Sequence, residues 1–389
     1  MSLTRKNIED NEKKTLSSLA TKASNSRGRR YPEKEHPYRS AYQRDRDRII
    51  HSAAFRRLEY KTQVFVYHEG DYYRTRLTHT LVVSQIARTI SKILRLNEDL
   101  TEAIALAHDL GHTPFGHAVE AVLNDLMKED GGFNHNMQGL RVVDLLEQRY
   151  PDFKGINLSW ETREGIIRHS TNTDIKYTHS ENEFPDNEQP TLETQVMDIA
   201  DEIAYDSHDL DDGIKSGLIF ENDLNEKVKL YNTTLKIVKQ KYTNLSQELR
   251  VYLIIRSLIN LQVTDLIENT TNIAKKLKVA DSFDVKKCKK RIVAFSEEMK
   301  ELRREMRNFL LSNLYYHWRV LRMSDKAKRF IKSLFYVYLN NPDLIPPVYK
   351  GNSAQNIEIK RIICDYIAGM TDRYALEEYK KLFDPYEKV

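Results

Sequence analysis

The chain has 389 residues, enough for one large domain or two ordinary ones, and its formal net charge of only +4 excludes a polycation. Low glycine and proline contents (13 and 10 residues), with 30% charged residues, are typical of an all-α protein. The two cysteines, Cys288 and Cys364, lie far apart and exclude a disulfide framework. The chain has no signal-peptide core and no apolar run of about 18 residues. We therefore expect a cytoplasmic protein with no membrane span.

The first part of the chain divides into a polar arm and a denser segment. Residues 1–40 are polar and contain the basic cluster SRGRR, so we expect a mobile basic N-terminal arm or one that lies along a neighbouring subunit. From residue 41 onward, apolar residues recur at helical spacing up to Leu58. Residues 62–73 follow, where alternating valines before Glu69-Gly70 predict a small β-hairpin.

Three helices are predicted between residues 73 and 127. The first runs from about 73 to 94, with a buried apolar stripe of Leu77, Leu81, Ile86, Ile90 and Ile93. Asn97 is the predicted N-cap of the second helix, which leads to His108-Asp109 and ends at Gly111. Thr113-Pro114 predicts an N-cap and first residue for the third helix.

The middle of the chain contains two further helices and a long polar loop. Gly131-Gly132 breaks the pattern, and a helix opens at Asn134 or His135 and runs to about residue 150. The polar residues 174–192 form a candidate lid. A helix over about 192–210 follows, and offsets of three, four and three place four polar residues on one of its faces: Asp198, Asp201, Tyr205 and His208.

The remainder is predicted to be helical and rich in lysine and arginine. The helical pattern continues from Asn222 to about Asn340, a proline-containing loop follows, and a last helix covers about 356–383. We therefore divide the chain into the arm over 1–40, a core over 41–220 and a C-terminal helical part over 221–389 that completes the active site and makes subunit contacts.

Two histidines and two aspartates are candidate metal ligands: His79, the pair His108-Asp109, and Asp201. Imidazole and carboxylate are ligands for a divalent transition metal or magnesium, and such side chains on different helices can converge inside a bundle. The pair follows a small apolar run, and an ionised aspartate is rarely buried unless it is paired or bound to metal. The alternatives are a polar helix terminus for the pair and solvated faces for the other two residues.

A second set of polar residues lies close in the sequence. His117 and Glu120 are three residues apart on a predicted helix, an arrangement in which a carboxylate can orient an imidazole for acid–base catalysis. His112 and His135 add two imidazoles that become cationic near anions, and Arg76 offers a planar fork for phosphate oxygens. Five of the chain's 12 histidines fall between residues 79 and 135, which favours a shared site.

Six ordered blocks of the chain, from about residue 38 to 384, carry a resemblance to a known family. They resemble the motifs of the HD-domain deoxynucleoside triphosphate triphosphohydrolases, and more closely those of the bacterial deoxyguanosinetriphosphate triphosphohydrolase-like proteins. The blocks are RDRDRIIHSAAFRRLEYKTQVF, RTRLTHTLVVSQIARTI, AIALAHDLGHTPFGHAVE, GGFNHNMQGLRVV, TQVMDIADEIAYDSHDLDDGI and DYIAGMTDRYALEEYKKLF. The fold implied is an all-α HD-domain helical bundle with additional C-terminal helices and at most a small β-hairpin.

The resemblance implies roles for particular residues. One divalent ion (Mn, Mg, Fe or Co) would be bound by the ligand set His79, His108, Asp109 and Asp201. His117, oriented by Glu120, would act in proton transfer. The substrate-binding set comprises Gln63, near the deoxyribose 3′-hydroxyl, together with Arg76, His112, His135, Tyr205 and Asp209.

One position departs from a branch of the family. There a phosphate-binding lysine follows the last metal aspartate, whereas this chain has Glu202. Another cation is therefore expected to serve, and the basic segment 303–333 is the predicted source, with Arg303, Arg307, Arg319, Lys326 and Lys328.

The expected reaction is hydrolysis of a dNTP, dGTP or a broader set, to a deoxynucleoside and inorganic triphosphate. The family also implies a homo-oligomer, a hexamer or tetramer, and a dNTP activator. The second motif of the alarmone hydrolases resembles HDxxED, whereas this chain has HDLGH at that place. Cyclic-dinucleotide phosphodiesterases carry a GYP signature that this chain lacks. The alternative from another class is a nucleotide-sensing or single-stranded nucleic-acid-binding protein, which the basic helices and 22 tyrosines would suit.

Overall fold

The computed structural model describes residues 2–63, 74–169, 183–185, 187–350 and 358–388. These residues form an all-α fold, as predicted, and within them the only β-type pairing is three isolated bridges. The predicted hairpin and most of the candidate lid lie outside the described residues. At the base of the predicted hairpin, Thr62 and Thr75 form an antiparallel bridge. Nowhere in these ranges is a helix both long and apolar enough to cross a membrane.

The N-terminal segment is folded against the core, so the prediction of a mobile arm over 1–40 is wrong for this structure. Helix α1 (Arg5–Thr15) begins at a capping box on Thr4. Ala20 and Ala23 are buried in the main hydrophobic core, and two buried carboxylates, one in this segment and one far along the chain, accept its backbone hydrogen bonds. Glu193 accepts from the Thr21 N–H at 2.9 Å, and Glu12 accepts from the Ala23 N–H at 2.7 Å. Composition cannot reveal these acceptors because they are supplied by tertiary contacts.

The central part contains eight helices, α2 to α9. Their bounds are α2 (Ala41–Ile50), α3 (Ala53–Arg57), α4 (Arg76–Ile93), α5 (Glu98–Ala107), α6 (His117–Leu126), α7 (His135–Arg141), α8 (Trp160–Arg168) and α9 (Leu192–Lys215). Asn97 caps α5 and Asn134 caps α7, as predicted, because each side chain accepts an N–H of the first helical turn. The predicted cap at Thr113 is wrong: α6 begins after Gly116, where the backbone adopts a positive φ of 66°.

Helices α4, α5 and α9 pack together at the centre of the molecule. Ile86 and Ile90 of α4 are buried as predicted, but Leu81 and Ile93 are 51% and 57% exposed. Polar residues take the inward positions instead, among them His79 and Thr80. An apolar pattern alone misplaces the buried face here because that face carries polar side chains of the site.

Within the described residues, the C-terminal part contains nine α-helices. Their bounds are α10 (Glu221–Lys227), α11 (Lys229–Lys241), α12 (Gln247–Leu277), α13 (Ser282–Lys287), α14 (Glu297–Leu310), α15 (Trp318–Asn340), α16 (Pro347–Lys350), α17 (Ile359–Ala368) and α18 (Asp372–Phe383). Helices α10 to α14 extend the main core, whereas α15, α17 and α18 form a second core with α6. The single last helix predicted over 356–383 is interrupted, because Thr371 starts a new helix by capping α18.

The buried carboxyl of Glu12 gives the packed N-terminal segment a pH signature. Burial raises the pKa of Glu12 from 4.5 to about 7, although hydrogen bonds from Ala23 and Asn97 oppose the shift. The folded state therefore binds this proton more tightly than the unfolded state. The contribution to stability is full below pH 4.5 and is lost as the pH rises towards 7.

Glu12→Gln keeps an acceptor for the Ala23 N–H but cannot ionise. We expect it to raise the free energy of unfolding at pH 8 by about 1–3 kcal/mol relative to the parent chain, with a much smaller gain at pH 4.5. Urea unfolding at both pH values measures the difference. Glu35→Gln, at a half-exposed carboxylate of the same segment, is the control. A gain that does not depend on pH would contradict a buried, ionisable Glu12.

Candidate metal centre and active site

Helices α4, α5 and α9 bring the four predicted metal ligands together. His79 projects from α4, His108-Asp109 follow the buried end of α5, and Asp201 lies in the middle of α9. His79 Nε2 lies 2.8 Å from Asp201 Oδ1, and His108 Nε2 lies 3.7 Å from the same oxygen and 3.3 Å from Asp109 Oδ1. The predicted cluster therefore forms from segments more than 90 positions apart in places.

The chemistry of this cluster fits a divalent metal. His108 Nδ1 donates a hydrogen bond to the Ala105 carbonyl at 2.6 Å, so in the neutral ring Nε2 carries the lone pair. That buried Nε2 has no hydrogen-bond partner among the described residues. His79 and Asp109 lie close enough to share one ion with it, and an Asp201 oxygen lies 3.7 Å from it. This is the nitrogen and oxygen donor set of a metal site with open positions.

The electrostatics of the cluster set the protonation states that metal ligands need. Burial opposes ionisation of Asp109, but His108, Arg76 and His112 outweigh it and hold the pKa of Asp109 well below its usual range. Burial likewise opposes ionisation of Asp201, and His79 and His108 outweigh it and lower that pKa too. Burial also lowers the pKa of the His108 ring. At neutral pH the site presents two carboxylates and a neutral His108, the forms that bind metal.

Three side chains orient these ligands. Arg76 Nη1 donates to Asp109 Oδ2 at 3.0 Å, and His112 Nε2 lies 3.1 Å from Asp109 Oδ1. His79 Nδ1 lies 3.2 Å from His208 Nδ1. Burial, together with His79 and Arg74, lowers the pKa of His208 to about 2, so a neutral ring lies against His79 Nδ1. Partners of this kind fix ring orientation and tautomer in metal sites.

A second cluster joins the predicted acid–base residues. His117 Nδ1 lies 3.0 Å from Glu120 Oε2, and Glu120 Oε1 accepts from both the backbone N–H (3.0 Å) and Nδ1 (2.8 Å) of His135. His112 stacks on His135 with ring centroids 4.1 Å apart. Burial opposes ionisation of Glu120, but the bonds from His117 and His135 hold its pKa below the usual range. An ionised Glu120 thus orients His117, whose side chain is 63% exposed.

The remaining predicted substrate residues lie on α9 and at the edge of the described chain. Tyr205 stacks against Tyr315 with ring centroids 6.2 Å apart, and the Tyr315 hydroxyl donates to Asp209. Burial raises the pKa of Asp209 well above its usual range. Gln63 lies beside Gly116, next to the loop that precedes His117. Sequence reasoning missed Tyr315, which reaches the site from the π-helical turn after α14.

His169 is a second residue that sequence reasoning missed. It follows α8, is 6% exposed, and its ring centroid lies 5.3 Å from that of His108 and 5.5 Å from that of His135. Its Nδ1 lies 3.5 Å from an Asp198 oxygen, and Asn136 donates to its carbonyl. The signal available in the sequence was a histidine at the end of a helix with an apolar pair, Ile166-Ile167, which predicts burial.

The prediction that the basic segment replaces the missing phosphate-binding lysine is wrong for Arg303 and Arg307. Arg303 donates to Glu202 at 2.9 Å and to Asp206 at 2.7 Å, and Arg307 bonds the same two carboxylates at 2.9 Å each. Both guanidinium groups thus neutralise the acidic surface of α9. Because their donors are engaged by carboxylates, they are not free cations for a phosphate.

A helical core in which a histidine, a His-Asp pair and an aspartate converge from three helices defines an HD-domain phosphohydrolase. Residues 76–206 match the HD domain family, and residues 293–381 match the phosphohydrolase-associated domain family. The two matches contain the metal cluster and the helices of the second core, respectively.

The relatives identify the family more closely. The chain is 49% identical to a deoxyguanosinetriphosphate triphosphohydrolase-like protein of Geobacter metallireducens over 97% of each chain, and 50% identical to that of Geobacter sulfurreducens over the same share. Identity to the protein of that name from Thiobacillus denitrificans is 49%, over 94% of this chain and 96% of the relative. The chain belongs to the family of deoxyguanosinetriphosphate triphosphohydrolase-like proteins, which confirms the resemblance seen in its motifs.

The orphaned His108 nitrogen makes metal binding testable without any substrate. We expect the purified protein to bind Mn²⁺ at one site per chain and His108→Ala to weaken that binding by at least about 100-fold, because a directly coordinating atom is lost. Titration calorimetry measures both. His36→Ala, at a histidine within the N-terminal segment, is the control. Equal affinity in His108→Ala and the parent chain would contradict this centre.

Proposed function

We propose that the protein hydrolyses a dNTP, dGTP or a broader set, to a deoxynucleoside and inorganic triphosphate with one bound divalent ion. The observation that carries this proposal is the adjacency of two clusters. The buried His/Asp centre lies beside the pair His117–Glu120, and His112 contacts both through Asp109 and His135. The names of these relatives refer to triphosphohydrolases of deoxyguanosine triphosphate, and they support the same reaction.

The metal ligands in this proposal are His79, His108, Asp109 and Asp201. An ion bound there (Mn, Mg, Fe or Co) would polarise a phosphoryl oxygen and supply an activated water, which is the Lewis-acid role of metals in phosphate chemistry. Asp109 is held by Arg76 and His112, so the ligand set is pre-oriented. Electrostatic pre-organisation of this kind contributes most when it exists before the substrate arrives.

Arg76, His112 and His135 are the proposed triphosphate-binding groups. Arg76 uses Nη1 on Asp109, and its Nε has no partner among the described residues. Burial lowers the pKa of His135 and, with Arg76 and His135 nearby, lowers that of His112 well below its usual range. A bound polyanion favours the cationic form of each ring, so binding is coupled to proton uptake. Gln63, Tyr205 and Asp209 are proposed to contact the deoxyribose.

His117 is the proposed general acid. Its Nδ1 faces Glu120, which leaves Nε2 for the substrate. Attack of a water oxygen on the α-phosphorus forms a new P–O bond, the bond between that phosphorus and the 5′-oxygen breaks, and His117 protonates the 5′-oxygen as it leaves. The exposed ring also suits direct attack on phosphorus followed by hydrolysis of the phosphoryl-histidine. Either route gives one deoxynucleoside and one triphosphate.

A second candidate function is binding of single-stranded nucleic acid. At the start of α15 an indole is flanked by two guanidinium groups, since Arg319 and Arg322 lie 5.4 and 4.8 Å from the Trp318 ring centroid. Trp318 is 54% exposed and Tyr316 is 63% exposed. Exposed rings beside arginines can stack with bases and contact phosphates. Salt-dependent oligonucleotide binding without dNTP turnover would favour this function.

A dNTP activator and a hexameric or tetrameric assembly stay predictions.

The bond that is cleaved decides the main proposal. We expect the protein, incubated with the four dNTPs singly and in pairs and with several divalent metals, to release deoxynucleoside and inorganic triphosphate in equal amounts. Pairs are included because a second dNTP can act as an activator. Ion chromatography measures the inorganic product. Pyrophosphate or orthophosphate in place of triphosphate would rule out the proposed reaction.

Removal of the proposed acid separates catalysis from metal binding. We expect His117→Ala to lower kcat by about 10²–10⁴-fold, the usual contribution of a positioned general acid. Mn²⁺ affinity should be unchanged because His117 is not in the ligand set. Glu120→Gln should lower kcat by a smaller factor, since it loses one charged acceptor but keeps its shape. Unchanged turnover in His117→Ala would remove this residue from the mechanism.

A further inference from the structure

The loop between the metal ligands and His117 has an uncommon backbone. This loop, residues 113–116, contains Phe115 with φ 58° and Gly116 with φ 66° and ψ −147°. A positive φ at a bulky residue is costly, and the second conformation is open essentially to glycine alone. Such backbone persists only where surrounding contacts impose it. Contacts from other parts of the chain therefore impose the conformation of this loop.

The contacts that hold the loop come from the C-terminal part of the chain. Asp372, the first residue of α18, accepts a hydrogen bond from the Phe115 N–H through Oδ1 at 2.9 Å. Its Oδ2 accepts from the Thr62 N–H at 2.9 Å and from the Thr62 hydroxyl. The Asp372 carboxylate is buried, so both oxygens are committed to these donors.

Lys61 makes a parallel connection between the same two regions. Its buried ammonium donates to the carbonyl of His112, just before the loop, and to the carbonyl of Ala368, at the end of α17, at 3.0 Å. Arg57 donates to the next carbonyl, that of Gly369, at 3.1 Å. The turn between α17 and α18, residues 368–372, is thus tied to the loop by Asp372 and to the residue just before the loop by Lys61.

Helix α6, which carries His117, also packs on the C-terminal part. Val119 and Leu123 of α6, with Met127 just after it, lie in the hydrophobic cluster of α15, α17 and α18, apart from the cluster that surrounds α4, α5 and α9. The two catalytic clusters therefore rest on different cores. The metal ligands depend on α4, α5 and α9, whereas the placement of His117 depends on the segment that matches the phosphohydrolase-associated domain.

We propose that Asp372 is a positioning residue that imposes the strained conformation of residues 113–116 and thereby directs His117 towards the metal centre. The proposal rests on the proposed function for the role of His117. It assigns to the C-terminal segment a specific task, which is to set the geometry of the acid relative to a metal site built elsewhere. A misplacement of about 1 Å at a reacting group can lower the rate by about 100-fold.

Asp372→Asn tests this proposal, because asparagine replaces one accepting oxygen with a donor that faces an N–H. We expect hydrogen–deuterium exchange in residues 113–119 to accelerate by at least about 10-fold in the substrate-free protein, since the loop opens more often. We expect kcat to fall by about 10–100-fold, with KM and Mn²⁺ affinity changed by less than about 3-fold. Thr62→Val, which removes only the hydroxyl donor, should shift both quantities in the same direction by less.

Glu378→Gln is the matched control on the same helix. Glu378 accepts hydrogen bonds from the Tyr338 and Tyr366 hydroxyls at 3.0 and 3.2 Å, away from the loop. We expect it to lower the melting temperature without changing loop exchange or kcat. Equal effects of Glu378→Gln and Asp372→Asn, or unchanged loop exchange in both Asp372→Asn and Thr62→Val, would overturn the proposal. Exchange is measured without substrate, so a parent chain that does not hydrolyse dNTPs would refute the proposed function alone.

Discussion

Compensation of the buried Asp109 carboxylate is the interaction on which the rest of the site depends. A carboxylate with 3% exposure would be strongly unfavourable if it were unpaired. Arg76 and His112 each contribute one nitrogen at about 3 Å, and His108 contributes a third nitrogen at 3.3 Å. These contacts place the guanidinium, the imidazoles and the carboxylate within one small volume. The geometry that keeps Asp109 ionised is the same geometry that prepares a metal site and an anion site beside it.

The same requirement recurs along α9 and explains much of the tertiary structure. This helix carries acidic residues on several faces, and cations from two other parts of the chain meet them. Arg303 and Arg307 of α14 bind Glu202 and Asp206, and Arg74 binds Asp211 and Asp212 at the other end. Breaking a buried pair of this kind leaves an uncompensated charge, which costs more than an exposed salt bridge contributes. Charge neutralisation thus links the C-terminal helices to the helix that supplies Asp201.

The sequence was sufficient to predict which polar side chains converge and where most of the helices lie, and insufficient where tertiary contacts decide. The His-Asp pair after an apolar run, and the spacing of His117 and Glu120, predicted side chains that do converge. Three of the features that were missed or wrong illustrate this. His169 reaches the site through a loop, the N-terminal arm is held by Glu193 from far along the chain, and α6 starts at Gly116 because of the loop. In each case the deciding partner lies more than 50 positions away, beyond the reach of local periodicity.

The central claim is that His117 acts on the 5′-oxygen while water attacks the α-phosphorus at a metal centre built by His79, His108, Asp109 and Asp201. Hydrolysis of a dNTP in ¹⁸O-labelled water tests it most directly, with mass spectrometry of both products. The account predicts one ¹⁸O atom in the inorganic triphosphate and none in the deoxynucleoside, because the bond between phosphorus and the 5′-oxygen breaks. Label in the deoxynucleoside, or a labelled nucleoside monophosphate, would contradict it.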